Sequence, residues 1–173
     1  MATLNETPSS NRLHIGIYGK TNSGKSSFIN AFTNQEVSIV ADVAGTTTDP
    51  VYKPMEINPL GPCVIIDTAG FDDETELGAR RVEKTQLAAE KTDIAVILVT
   101  AEASEESASV SQKEMGWKAG NFVESFPEEA KWYHIFKEKK TPILFVVNKA
   151  DQEEDSNALA EWLREQTKTE TIV

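Results

Sequence analysis

One cysteine, two histidines and no apolar run beyond strand length set the first limits on this chain of 173 residues. Cys63 alone closes no internal disulfide and leaves too few thiolates for an iron–sulfur cluster held by this chain. Cysteine so scarce fits a reducing compartment. The longest apolar runs, Ile94 to Val99 and Ile143 to Val147, fall far short of the ~20 residues that cross a bilayer. Residues 1–12 are polar and lack the apolar core of a signal peptide. A cytoplasmic location without membrane contact is therefore expected. Basic residues are outnumbered, 17 against 28 acidic ones, for a net charge of −11. A surface that tracks a nucleic-acid backbone needs clustered Lys and Arg, so no nucleic-acid partner is expected of this domain.

What is present reads as one domain over residues 13–173 behind a flexible lead-in over 1–12. Leu13 to Tyr18 sets apolar side chains at 13, 15 and 17, as a strand entering a core does. Phe28, Ile29, Ala31 and Phe32 follow at helical spacing, fading near Thr33. From Gln35 to Pro50 periodicity is lost, and a segment that orders on ligand is expected there. Val51 to Ile57 alternates in part and carries the edge-type Pro54. Cys63 to Ile66 is wholly apolar, as a strand covered on both faces would be. A helix over about 77–91 and a strand over 93–100 come next. Trp117, Phe122 and Phe126 imply packing. Pro127 opens a helix whose early acids Glu128 and Glu129 suit its positive end, and Lys137, Lys139 and Lys140 suit the other. A strand over 142–147, a helix over 157–168 and a short strand after Thr169 complete the alternation. Strands alternating with helices give an α/β class with a mostly parallel central sheet.

The chemistry begins at Gly19-Lys20-Thr21-Asn22-Ser23-Gly24-Lys25-Ser26, a phosphate-loop pattern lying between strand and helix as the pattern requires. Its glycines let successive amide N–H groups face phosphate oxygens, and the following helix adds its positive end. Lys25 would reach the β- and γ-phosphates, and the Ser26 hydroxyl would join Mg²⁺. Asp67 closes an apolar strand within reach of the same metal. Gly70, three residues on, can bring its N–H to a γ-phosphate. Asn148-Lys149-Ala150-Asp151 ends a later strand, and an aspartate there can accept from N1–H and the 2-amino group of guanine. Adenine offers neither donor, and leaving such groups unpaired discriminates by up to about 10⁴. GTP, returned as GDP, is the expected ligand.

These motifs, with Gly45-Thr46-Thr47-x-Asp49 and Asp67-Thr68-Ala69-Gly70, resemble the TrmE–Era–EngA group of P-loop, Ras-like GTPase domains. Thr7-Pro8, Arg12 to Ile15, Gly45 to Met55, Pro59 to Pro62 and Ile66 to Asp73 further resemble the FeFe-hydrogenase maturation GTPases of HydF type. The resemblance implies nucleotide contacts at Gly19, Lys20, Thr21, Asn22, Ser23, Gly24, Lys25, Ser26, Ser27, Thr46, Thr47, Asp67, Gly70, Asn148, Lys149 and Asp151. It places Ser26, Thr47 and Asp67 on Mg²⁺, and Asn22 beside a K⁺ that carbonyls near Val43 and Ala44 would complete. Lys25, Thr47 and Gly70 then serve catalysis. Phe71 follows Gly70 in place of a water-orienting glutamine, and Glu83 could orient water through a bridge, although a solvated helix face also accounts for it. Slow hydrolysis is expected, used as a switch.

HydF-type proteins are implied to carry an iron–sulfur cluster and to load a di-iron precursor onto hydrogenase, with maturation proteins and a second copy as partners of the full-length protein. This chain lacks the cysteines for that cluster. It also stops before the Ser-Ala guanine loop of the family, so a truncated domain is expected. An RNA-linked GTPase of TrmE or Era type and a largely non-catalytic, nucleotide-gated scaffold stand as alternatives.

Overall fold

A computed structural model describes residues 12–33, 51–68, 83, 86–101, 116–151 and 155–173. Its centre is a six-stranded sheet in the order β2-β3-β1-β4-β5-β6. The strands are β1 (Leu13–Tyr18), β2 (Val51–Ile57), β3 (Gly61–Asp67), β4 (Ile94–Val99), β5 (Ile143–Val147) and β6 (Glu170–Ile172). The helices are α1 (Lys25–Thr33), α2 (86–91), α3 (Phe122–Ser125), α4 (Pro127–Lys139) and α5 (Ser156–Thr167). All pairings are parallel except β2 with β3. Pro54, which has no N–H for a ladder, sits on that antiparallel edge strand, where only one side needs donors.

Register decides which residues meet. Ile17 lies opposite Asp67, Tyr18 opposite Ile97, and Val99 opposite Val147. Parallel strands in this register finish along one edge of the sheet, where ligands of open α/β folds bind. Two further bonds tighten that edge. The Thr68 hydroxyl donates to Ile17 O at 2.7 Å, and Asn148 N–H donates to Val99 O at 2.8 Å.

Each buried strand feeds two cores by alternation. Ala95, Ile97 and Val99 face a cluster with Tyr18, Trp132, Phe136, Phe145, Leu159 and Leu163, covered by α2 to α5. Val96 and Leu98 face the other side, with Ile15, Ile17, Ile29 of α1, Met55, Cys63 and Ile65. Cys63 is wholly buried, and that burial pushes its thiol pKa up, as befits a small core residue. Trp117, Phe122 and Phe126 do pack, in the first cluster. The expected helix over 77–91 is seen at 83 and 86–91, and the rest of it lies outside the described residues. So does the segment over 35–50 expected to order on ligand. Among the described residues no helix is long and apolar enough to cross a membrane.

Tyr18 joins the sheet to its helical cover. Its ring stacks against Trp132 and Phe136 at centroid distances of 4.6 and 4.8 Å. Its hydroxyl shares a buried 2.7 Å hydrogen bond with Thr92 Oγ1, which itself donates to Ala88 O. Burial raises the Tyr18 pKa above the ordinary phenol range. Thr92→Val keeps the shape and strands that hydroxyl. The expected loss is about 1–3 kcal/mol, and thermal unfolding should show a fall of roughly 2–10 °C at this size.

Candidate functional site

The phosphate loop leaves β1 through conformations that side chains resist. Gly19 has φ 144°, and a Cβ there would lie 2.7 Å from Leu98 O. Gly24 has φ 86°, and a Cβ there would strike the Asn148 side-chain amide. Between them Asn22 takes a left-handed φ of 60°, which asparagine tolerates. Ser23 N–H closes the turn onto Lys20 O at 3.2 Å, and Phe28 N–H bonds Gly24 O at 2.8 Å as α1 begins. Lys25 is buried, and its ammonium donates to Gly19 O at 2.9 Å and Lys20 O at 2.7 Å. Those bonds fold the lysine over the loop that the sequence assigns to phosphate. Ser26 and Ser27 open α1 with exposed side chains, and Ser23 is fully buried.

Two other strand ends reach this loop. Asn148, just past β5, donates from Nδ2 to Ser23 O at 2.9 Å, across 125 residues of sequence. Lys149 turns with φ 60°, and Asp151 is exposed beyond it. The segment after β5 and the loop after β1 are thus tied by a direct bond. Asp67, at the end of β3, is half-buried. Burial raises its carboxyl pKa, and the charges of Lys53 and then Lys25 pull it down. An oxygen ligand near Lys25 suits Mg²⁺, which takes few protein ligands and relies on water and phosphate for the rest. No cluster of three or more acidic, histidine or cysteine side chains that could cage a metal occurs among the described residues. Glu83 is helical and exposed. Thr46, Thr47, Gly70 and the carbonyls near 43 and 44 lie outside the described residues. Of the K⁺ ligands implied by resemblance, only Asn22 is therefore described.

One residue of this neighbourhood has more than the place its sequence position suggests. Glu129 does lie in the first turn of α4, as the sequence indicates, but its side chain has a second role. It is 2% exposed, and its Oε1 accepts from Lys20 N–H at 3.4 Å. Burial raises its carboxyl pKa, with smaller opposing effects from its own N–H and from Lys20. Helical spacing held the signal: Glu129, Trp132 and Phe136 share one face, and the two aromatics were already its packing side.

Asn148→Ala removes the bond to Ser23 O, leaves Asp151 in place, and frees the loop backbone. A bond of this kind is worth about 1 kcal/mol. Titration with a fluorescent GTP analogue should therefore show affinity lower by roughly tenfold, in a variant that still unfolds cooperatively.

Known proteins share this arrangement. The profile of a family described as 50S ribosome-binding GTPase matches residues 14–149. GTPase Der of Wolinella succinogenes is 39% identical over 126 residues, covering 71% of this chain and 25% of that protein. The tRNA modification GTPase MnmE of Laribacter hongkongensis is 40% identical over 88 residues, covering 50% of this chain and 19% of its own length. Among solved structures, Aquifex aeolicus Era bound to GDP·AlF₄⁻ superposes with a TM-score of 0.62 at 23% identity, over 92% of this chain and 49% of Era. The structural likeness establishes a shared fold. The chain spans about a quarter of Der and less of MnmE. These matches meet the TrmE–Era–EngA resemblance and do not extend to hydrogenase maturation. With its phosphate loop, Asp67 and Asn148 to Asp151 gathered on one sheet edge, the chain belongs to the 50S ribosome-binding GTPase family.

Proposed function

We propose that this chain is the GTPase portion of a Der-, MnmE- or Era-type protein, binding GTP and hydrolysing it slowly to gate its partners. The observation that carries the reading is the bond from Asn148 to Ser23 O, which unites the guanine-reading and phosphate-binding segments in one site. Lys25, held by the carbonyls of Gly19 and Lys20, supplies positive charge to the β- and γ-phosphates. Amides from Asn22 onward and the start of α1 supply the rest. Ser26, Asp67 and Thr47 provide oxygen ligands for Mg²⁺, and Asn22 provides one for K⁺. When bound, these cations neutralise charge that develops on the phosphoryl oxygens. Asp151 selects guanine through its acceptor pair.

Phe71 follows Gly70, so the chain lacks a glutamine at the position that orients water in other GTPases. Unassisted members of this class turn over at about 10⁻⁴ to 10⁻² s⁻¹. A rate in that range suits a switch better than a metabolic enzyme. An Era structure includes nucleotides 1506–1542 of 16S ribosomal RNA. An RNA-linked role for the protein that carries this domain is therefore favoured over hydrogenase maturation, which rests on short stretches of sequence resemblance alone. The charge of −11 assigns any RNA contact to other parts of that protein.

GTP turnover should be faster in KCl than in NaCl by on the order of tenfold or more if a cation beside Asn22 stabilises developing charge. Equal rates remove K⁺ from the site, and no turnover in either salt removes the hydrolase. Replacing Asp151 by Asn should move preference from GTP to XTP, whose 2-oxo group suits an amide donor. Competition binding with both nucleotides reads that exchange, and unchanged preference counts against the guanine-reading role.

A further inference from the structure

The peptide between Gly19 and Lys20 is gripped from both sides. It is trans, so its carbonyl and its N–H point in opposite directions. The carbonyl accepts from Lys25 Nζ at 2.9 Å, and the N–H donates to Glu129 Oε1 at 3.4 Å. A carboxylate at the amide side polarises the peptide and strengthens its oxygen as an acceptor. Glu129 is held firmly enough to do this. Trp132 and Phe136, one and two turns further along α4, stack on Tyr18, the residue before Gly19. The same helix face thus carries the carboxylate and the packing that aims it.

A role at the helix dipole does not by itself account for the location. The dipole accounts for an acid in the first turn, but Glu129 is in addition 2% exposed and turned onto the loop. The carboxylate lies on the far side of the peptide from the Lys25 ammonium. We propose that Glu129 is a positioning residue for nucleotide binding, fixing the Gly19–Lys20 peptide so that Lys25 is presented to the phosphates. The proposal rests on reading this loop as the phosphate site, and its first test needs no nucleotide.

Residue-resolved amide hydrogen exchange on the nucleotide-free 173-residue chain should find Lys20 N–H protected. In Glu129→Leu that amide should exchange faster by about tenfold, the loss of one hydrogen bond. Affinity for a fluorescent GDP analogue should fall by a similar factor, about tenfold, with the melting temperature maintained or raised. Glu129→Gln retains an acceptor oxygen, and both readouts should stay within about threefold of the native protein. A merely structural side chain would not be rescued in this way. An unprotected Lys20 amide in the native chain, native affinity in Glu129→Leu, or equal losses in the Leu and Gln variants would overturn the proposal. Should Glu129→Leu fail to fold, native exchange and the Gln variant decide the matter. A native chain that binds no GDP would sink the phosphate-site reading itself, a result distinct from exchange that fails at Lys20.

Discussion

A phosphate loop must turn its backbone amides toward a ligand, and so it cannot hold itself in shape with those same groups. Besides one turn bond from Ser23 N–H to Lys20 O and the Lys25 ammonium on Gly19 O and Lys20 O, the constraint is met here from outside. Leu98 presses its carbonyl against Gly19, Asn148 takes the carbonyl of Ser23, and Glu129 takes the N–H of Lys20. Each support comes from a different element: the end of β4, the loop after β5 and the first turn of α4. The loop's shape is therefore a property of the whole sheet edge. Glycine at 19 and 24 is required because the supports stand too close for a side chain.

The same arrangement joins the segment after β5 to the loop after β1. Asn148 is bonded to the phosphate loop by its side chain and to Val99 by its backbone. A displacement of either loop is felt by the other through a single amide. Tyr18 plays the corresponding part beneath the loop. It ends β1, stacks on α4 and is pinned through Thr92 to α2. Movement of α4 relative to β1 therefore reaches Gly19 through one residue. This gives the fold a mechanical route from its helical cover to its ligand edge, made of buried aromatic contacts that keep their shape because interiors are close-packed.

Much of this was legible from residue order because the relevant signals are local. Gly19 to Ser26 between an apolar strand and an amphipathic helix fixes strand, loop and helix without reference to anything distant. Val64-Ile65-Ile66-Asp67 announces a buried parallel strand with a polar end, and Pro54 announces the edge. Pro127 marks the start of α4 correctly, since a missing N–H matters least in a first turn. Glu129 shows where such reading stops. Two residues past Pro127, a glutamate fits the helix dipole by every local criterion, and no local criterion brings in a partner 109 residues away. Asn148 lies between these cases: its motif names the function, while the bond to Ser23 O depends on β4 and β5 pairing in one register.

The sequence by itself determined the α/β alternation, GTP as the nucleotide and the broad GTPase group, but not the hydrogenase-maturation branch, because each motif that carries them is local. Tertiary structure alone decided how the phosphate loop is held, since its supports are contributed by segments far apart in the chain. Parallel pairing aligns strand ends whatever their separation in sequence, and only that alignment sets Glu129 and Asn148 against the loop. A glycine loop can be recognised from its own residues, but the forces that shape it come from its neighbours.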